Sequence, residues 1–321
     1  MTNKVNTAKT LVKRFKTDVK EYDVKIAICR LYRDLPIGNW ATKNSKYLKS
    51  VMNYLKHNYQ SVIDDCVMRF DEANVQTARS NIIWVMWWQG EEGMPPIVKA
   101  CYDRLLYVSK GMEVILLTKN NWSLYVQLPK CILGKFDQGI ITITHLSDII
   151  RFSLLNNYGG IWLDATVYLD SIPNEILDND FYTLHAPGMF PTFLGNSNWS
   201  TFLISITRPN TLFTFCMVEL FHKYWEKQNT LIDYLLIDGF ITLLYDSVME
   251  IKTMIDSLPE NRHFYDLNVN INSEYNESDF KMMLNKSPAQ KLTYKKEFAL
   301  KTENEAATYY AVITNGVTCH I

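Results

Sequence analysis

HLSDIIRFSLLNNYGGIWLDAT, residues 145–166, decides how this chain is read. Its first half is an apolar helix, carrying Ile149, Ile150, Phe152, Leu154 and Leu155, and charged only at Asp148 and Arg151. Those two lie three residues apart, so they project from the same side of the helix. A surface ion pair of that spacing stabilises little, and the apolar residues around it argue against a purely surface role. Tyr158, Gly159 and Gly160 then end the helix. Glycine lets the backbone turn tightly and approach a phosphate or a neighbouring chain with no Cβ in the way. Ile161-Trp162-Leu163 follows as a short strand, and Asp164 stands at its exit. A carboxylate leaving the C-terminal end of a central strand is where open α/β sheets bind ligands.

Outward from this stretch, the run Ile82-Ile83-Trp84-Val85-Met86-Trp87-Trp88 is continuously apolar and of strand length. Continuous rather than alternating apolarity predicts a strand buried on both faces, as in a parallel sheet. A helix over 96–109 and a strand over 113–118 complete the opening of an α/β unit. Strands at 181–186 and 201–207 and helices at 210–225 and 233–250 follow Asp164. Residues 257–285, rich in Asn and Asp with Pro259, predict loops. Before residue 78 the spacing predicts only helices: Val12, Phe15, Val19, Tyr22, Ile26 and Cys29 in 11–33, then 47–59 and 62–70. The expected division is a basic helical region, 1–78, and an α/β catalytic domain, 79–321.

Charge is distributed unevenly along the 321 residues. The chain totals −1, but residues 1–60 hold thirteen Lys and Arg against four Asp and Glu, a net of +9, leaving −10 for the rest. The total argues against a nucleic-acid binder; the asymmetry predicts an acidic partner for the N-terminal segment, a membrane surface being one candidate. Six scattered cysteines without a C-x-x-C pair predict free thiols in a reducing compartment. No apolar signal region opens the chain, and no run approaches the roughly 18 apolar residues of a membrane span. The expectation is a cytoplasmic protein, peripheral at the inner face of the cell membrane.

SDIIRFSLLNNYGGIWLDATV, together with WWQGEEGMPPIVKACYDRL near residue 87, resembles the capsular polysaccharide synthesis family of glycosyltransferases. The resemblance spans about residues 81–300. It implies a GT-A-like nucleotide-sugar-binding domain with a mostly parallel central sheet, preceded here by the helical region. It implies transfer of a hexose from a UDP-sugar to a capsular or exopolysaccharide acceptor, lipid-linked, with retention of configuration. Carried onto this sequence, it implies donor binding by Trp88, Gln89, Gly90, Asp148, Arg151, Tyr158, Gly159, Gly160, Asp164, Lys291 and Lys295. The related Asp-X-Asp motif implies Mn²⁺ or Mg²⁺ at Asp164, but Asp164-Ala165-Thr166 replaces its second carboxylate with a hydroxyl, a weaker neutral ligand. His320 is a further metal candidate by resemblance; a histidine so close to a chain end also reads as a disordered one. Lys291 and Lys295 read either as a solvated basic loop or as cations facing the leaving diphosphate.

On the acceptor side the candidates are residues 196–199 and Asp238. Asp238 lies before Gly239 inside an apolar helix, and a buried carboxylate needs a reason; it is taken as the acceptor-side catalytic residue. Asp233, five residues earlier, points elsewhere on the helix and suits a cap. His185 faces either a cleft or a core partner. The Asp-Ala-Thr departure also supports a second reading, a catalytically degenerate scaffold that keeps the sugar-nucleotide fold.

Overall fold

The basic segment folds as α1 (Thr2–Glu21), α2 (Val24–Asp34) and α3 (Trp40–Arg69). The structure, a computed structural model, describes residues 2–109 and 111–315, apart from the side chains of 2–8 and 74; His320 and Cys319 lie outside the described residues. The periodicity of 11–33 is broken at residue 23, where the Asp23 carboxylate accepts from the Ile26 amide at 2.7 Å and starts a new helix. Conversely, 47–59 and 62–70 are one helix. Asn39 caps it, accepting from the Thr42 amide at 3.0 Å, and no Pro or Gly interrupts residues 40–69.

The α/β unit runs β1 (Ile82–Met86), α4 (Pro96–Val108), β2 (Glu113–Leu117), α5 (Lys130–Asp137), α6 (Ile143–Tyr158), β3 (Gly160–Asp164) and β4 (Val167–Leu169). The chain continues through α7 (Asn174–Asp178), β5 (Phe181–Thr183), β6 (Leu203–Ile206), α8 (Leu212–Lys227), α9 (Leu236–Ser247) and α10 (Met249–Asp256). It ends in α11 (Asp266–Asn270), α12 (Glu277–Lys286), β7 (Ala289–Lys291) and α13 (Tyr309–Thr314). Residues 257–285 are therefore not all loop. Asn276 caps α12 by accepting from the Asp279 amide, and Phe280, Met283 and Leu284 give it a buried face that the surrounding polar residues obscure.

The five-stranded sheet has the order β2-β1-β3-β6-β5, with β1 parallel to β2 and β3. Only β6 runs against the other four strands. Both faces are buried, as the unbroken apolarity of β1 requires. Trp84 and Trp162 face a core built with α3, α6, α8 and α9. Ile83, Val85, Ile161 and Leu163 face a second core with α4, α11, α12 and α13. α3 packs directly on α8 and α9. Gly239 faces Leu55 across the α3–α9 contact, where an added Cβ would come within 2.8 Å of Leu55 Cδ1 and that side chain would have to shift.

The glycine pair has a packing reason. Gly159 (φ +66°) and Gly160 (φ +102°) sit where a Cβ would lie 2.6 Å from the Thr207 carbonyl oxygen and 2.4 Å from that of Ile82. They let β3 enter between β1 and β6. A side chain at residue 160 meets backbone on one side and a left-handed conformation on the other. Gly160→Ala is expected to cost at least about 2 kcal/mol, read as a lower denaturant midpoint at unchanged slope; wild-type stability in this variant would refute the packing argument.

Candidate active site

Register places the site. Met86 and Asp164 are paired at the C-terminal ends of β1 and β3, so the segments leaving both strands meet at one edge of the sheet. After Asp164 the chain turns into β4, whose partner β7 arrives more than a hundred residues later with Val167 opposite Lys291. The Thr166 carbonyl accepts from the Leu292 amide at 2.8 Å, and the Phe264 carbonyl from the Lys291 amide at 2.6 Å. This anchoring aims the Lys291 ammonium at the strand exit. It donates to Asp164 Oδ2 at 2.7 Å and to Thr166 Oγ1 at 2.8 Å.

Asp164 Oδ1 is held from the other side, accepting from Trp162 Nε1 at 3.0 Å and from Arg151 Nη2 at 3.4 Å. The Arg151 guanidinium lies 4.8 Å from the Trp162 ring centroid and 3.1 Å from Asp148 Oδ1. His145 Nδ1 lies 3.7 Å from the other Asp148 oxygen, while its Nε2 accepts from Trp225 Nε1 at 2.9 Å. An accepting Nε2 puts the neutral ring's proton on Nδ1, toward Asp148. Burial alone would raise the Asp164 carboxyl; the Lys291 ammonium and then the Arg151 guanidinium outweigh it and hold it below the usual carboxylate range.

A cavity of about 650 Å³ opens onto this network. Its walls come from the end of β1 (Trp87, Trp88, Gln89), the start of α6 (Thr144, Ser147), the Asp164–Thr166 turn, Tyr265 and Asn268, and the 291–295 segment. The expected residues Trp88, Gln89, Asp164, Thr166, Lys291 and Lys295 are thus brought together. Gly90 turns the chain behind them at φ +82°. Asp148 and Arg151 do not line the cavity: both are buried behind Asp164. Tyr158, Gly159 and Gly160, also expected at the donor, stand at the opposite end of β3 from Asp164. There Tyr158 packs on Trp84, with ring centroids 5.6 Å apart, and the Gly159 carbonyl accepts from the Trp84 indole. Trp87 packs on the second core and also forms a wall of the cavity, edge-on to Tyr294 at 5.3 Å. Ser147 stood inside the quoted stretch, but no local pattern marks Tyr265 or Asn268.

The Asp164 carboxylate, the expected metal ligand, is engaged by the Lys291 ammonium and the Arg151 guanidinium. A hard cation needs carboxylate oxygens free to ligate, whereas both Asp164 oxygens already accept from N–H or cationic donors. Among the described residues no cluster of three His, Cys, Asp or Glu side chains is placed to hold a metal.

A second cavity, about 310 Å³, shares the Tyr265 wall. It is lined by Phe190, Phe193, Trp199, Phe202 and Phe264, with Asp238 as its carboxylate. Asp238 Oδ1 accepts from Trp199 Nε1 at 2.9 Å. Burial pushes the Asp238 carboxyl up to about 7, against that hydrogen bond, and the nearby Asp148 charge adds to the rise. Ser197 also lines this cavity. Asp233 precedes the helix, accepting from the Leu235 amide at 2.9 Å. His185 has a core partner, with Nδ1 2.7 Å from the Asn198 carbonyl.

A carboxylate at a central strand exit with a cavity over it is the arrangement in which open α/β sheets bind ligands. The sequence model of the capsular polysaccharide synthesis protein family matches residues 37–313, and the chain belongs to that family. It is 28% identical over 125 residues to the O-glycosyltransferase PaGT of Phomopsis amygdali, covering 36% of this chain and 31% of that one. It is 27% identical over 158 residues to the O-glycosyltransferase braB of Annulohypoxylon truncatum, covering 45% and 37%. The chain spans about a third of the length of these curated relatives. A solved structure, the PaToxG glycosyltransferase, matches with a TM-score of 0.38 at 14% identity, covering 77% of this chain and 95% of that one.

The raised Asp238 carboxyl gives a pH test. Its unfolded value is near 4 and its folded value about 7, so stability is full below pH 4 and is lost as pH rises toward 7. Asp238→Asn keeps an acceptor for Trp199 and removes the titration. Its melting temperature is expected to match wild type near pH 4 and to exceed it above pH 7; a gap that does not depend on pH would refute the assignment.

Proposed function

We propose that this protein is a glycosyltransferase of GT-A type that moves a hexose from a UDP-sugar to a hydroxyl acceptor. The observation that carries the reading is the Lys291 ammonium, fixed between Asp164 and Thr166 in the wall of the larger cavity. The UDP base is assigned to the Trp88–Gln89 end, with Trp88 stacking on it, and the diphosphate to Lys291 and Lys295. Arg151 is a positioning residue: it holds Asp164, which holds Lys291. Asp148, Arg151, Asp164 and Lys291 sum to zero charge, and Lys295 makes the cavity wall positive. That balance suits an anionic diphosphate.

The acceptor hydroxyl is assigned to the smaller cavity, oriented by Asp238. Attack on the donor-facing side retains configuration. The bond from C1 to the diphosphate oxygen breaks with its electron pair leaving on the diphosphate; the acceptor oxygen bonds to C1, and its proton passes to the departing oxygen. Fixed donors aimed at the developing charge lower the barrier without reorganising. The supplied acceptor is a growing capsular or exopolysaccharide chain, lipid-linked, at the inner face of the cell membrane.

Calorimetric titration with UDP tests the reading. Wild type is expected to bind UDP in the presence of a chelator. Lys291→Met removes a charged hydrogen-bond donor and is expected to weaken binding about 10- to 100-fold. Binding that requires Mn²⁺ would return the charge-neutralising role to a metal on Asp164. No binding under either condition would favour the degenerate scaffold.

A further inference from the structure

We infer that α2 and the start of α3 form a docking face for an anionic phospholipid surface. Val24, Ile28 and Tyr32 recur every four residues along α2, so they form one stripe, and none of the three is covered. The connection to α3 continues it with Ile37 and Trp40. Val24, Ile28, Ile37 and Trp40 each leave more than half of their surface exposed, while their neighbours Ile26 and Ala27 are buried completely. An apolar row kept outside a helix that already has a filled inner face points to an external apolar medium.

The acids of this segment all have partners within the protein, while several of its lysines have no acidic one among the described residues. Residues 1–60 contain four acids, and each is engaged within the protein. Asp18 pairs with buried Arg30; Glu21 accepts from the Asn229 amide at 3.0 Å; Asp23 caps α2; Asp34 pairs with Arg14 at 3.3 Å and Arg33 at 2.9 Å. Lys25, Lys46 and Lys49 are exposed, and no carboxylate among the described residues pairs with them. Lys46 Nζ lies 5.6 Å from the Tyr32 ring centroid, so ammonium groups border the apolar row. Apolar side chains flanked by unpaired lysines match the acyl and headgroup layers of an anionic leaflet. A nucleic acid or acidic protein would use the lysines and leave the apolar row unexplained. Among the described residues no helix is long and apolar enough to cross a membrane, so attachment through this segment is to the surface.

The test is sedimentation of the full chain with vesicles of phosphatidylcholine alone or mixed with phosphatidylglycerol, at low and high salt. Binding is expected only to the mixed vesicles and is expected to weaken with salt. Lys25→Glu/Lys46→Glu/Lys49→Glu is expected to lower partitioning by about 100-fold, at roughly fivefold or more per lysine. Ile28→Asp/Ile37→Asp, at exposed positions, is expected to lower it at least about tenfold, with unchanged melting temperature and UDP affinity. Failure of the wild type to bind mixed vesicles would overturn the inference, as would equal binding to neutral vesicles. Wild-type partitioning in the Ile28→Asp/Ile37→Asp variant, or retention on a polyanion without vesicle binding, would overturn it too.

Discussion

The ion pair between Lys291 and Asp164 is the constraint on which the site rests. It joins β3, in the middle of the sheet, to β7 in the peripheral two-stranded ladder, and both partners line the larger cavity. A partly buried pair of this kind is weak evidence for stability, because desolvation offsets much of its attraction. What it secures is position. The ammonium has two oxygen acceptors at hydrogen-bond distance, and Asp164 has three donors, so neither group can rotate without breaking a bond in a partly dry environment. Lys291 is also within 5.0 Å of the Phe202 ring centroid, and Phe202 lines the smaller cavity. One lysine therefore faces one cavity and packs on the wall of the other.

The two carboxylates near the cavities are driven apart by their surroundings. Asp164 has two cations within reach and is held ionised; Asp238 has one indole N–H, aromatic walls and a nearby negative charge, and is pushed toward neutrality. Groups of one chemical type with opposite shifts can take different roles in one reaction. Asp164 is suited to permanent charge and hence to orienting a cation. Asp238 is suited to a hydrogen-bonding role that changes with pH. A carboxyl kept at that cost in an aromatic cavity is hard to explain by packing alone.

Much of the fold was legible because it is written locally. The apolar run of β1, the helix–strand order and the carboxylate at residue 164 follow from periodicity and punctuation alone. The glycine pair was legible as a turn but not in its purpose. Gly159 and Gly160 read equally as phosphate-approaching or chain-approaching, and only the carbonyls of Thr207 and Ile82 distinguish the two. The site was half legible. Asp164, Trp88 and the late lysines came from sequence, but their meeting depends on β4–β7 pairing between three-residue strands, too short to carry a pattern. The burial of Asp148 and Arg151 behind Asp164 was also hidden, since a three-residue spacing says which side of a helix is used, not what that side faces.

The N-terminal segment shows why a charge count and a charge surface differ. Its +9 balance assigns equal weight to every ionised group. In the folded chain the acids are absorbed: one pairs with a buried arginine, one caps a helix, one meets the loop at Asn229, and one bridges α1 and α2. Two arginines are drawn inward with them, Arg30 onto Asp18 and Arg33 onto Asp34, while Arg14 meets Asp34 from an exposed position. Among the described residues, the cations of this segment left without an acidic partner are lysines. That partition follows from chemistry, because the planar guanidinium keeps several fixed hydrogen bonds in a partly dry contact while the compact ammonium is better hydrated. The exposed apolar row then lies beside a nearly pure lysine surface. Such a surface can be released by salt, whereas a surface of intact ion pairs would have offered no net field to a partner at all.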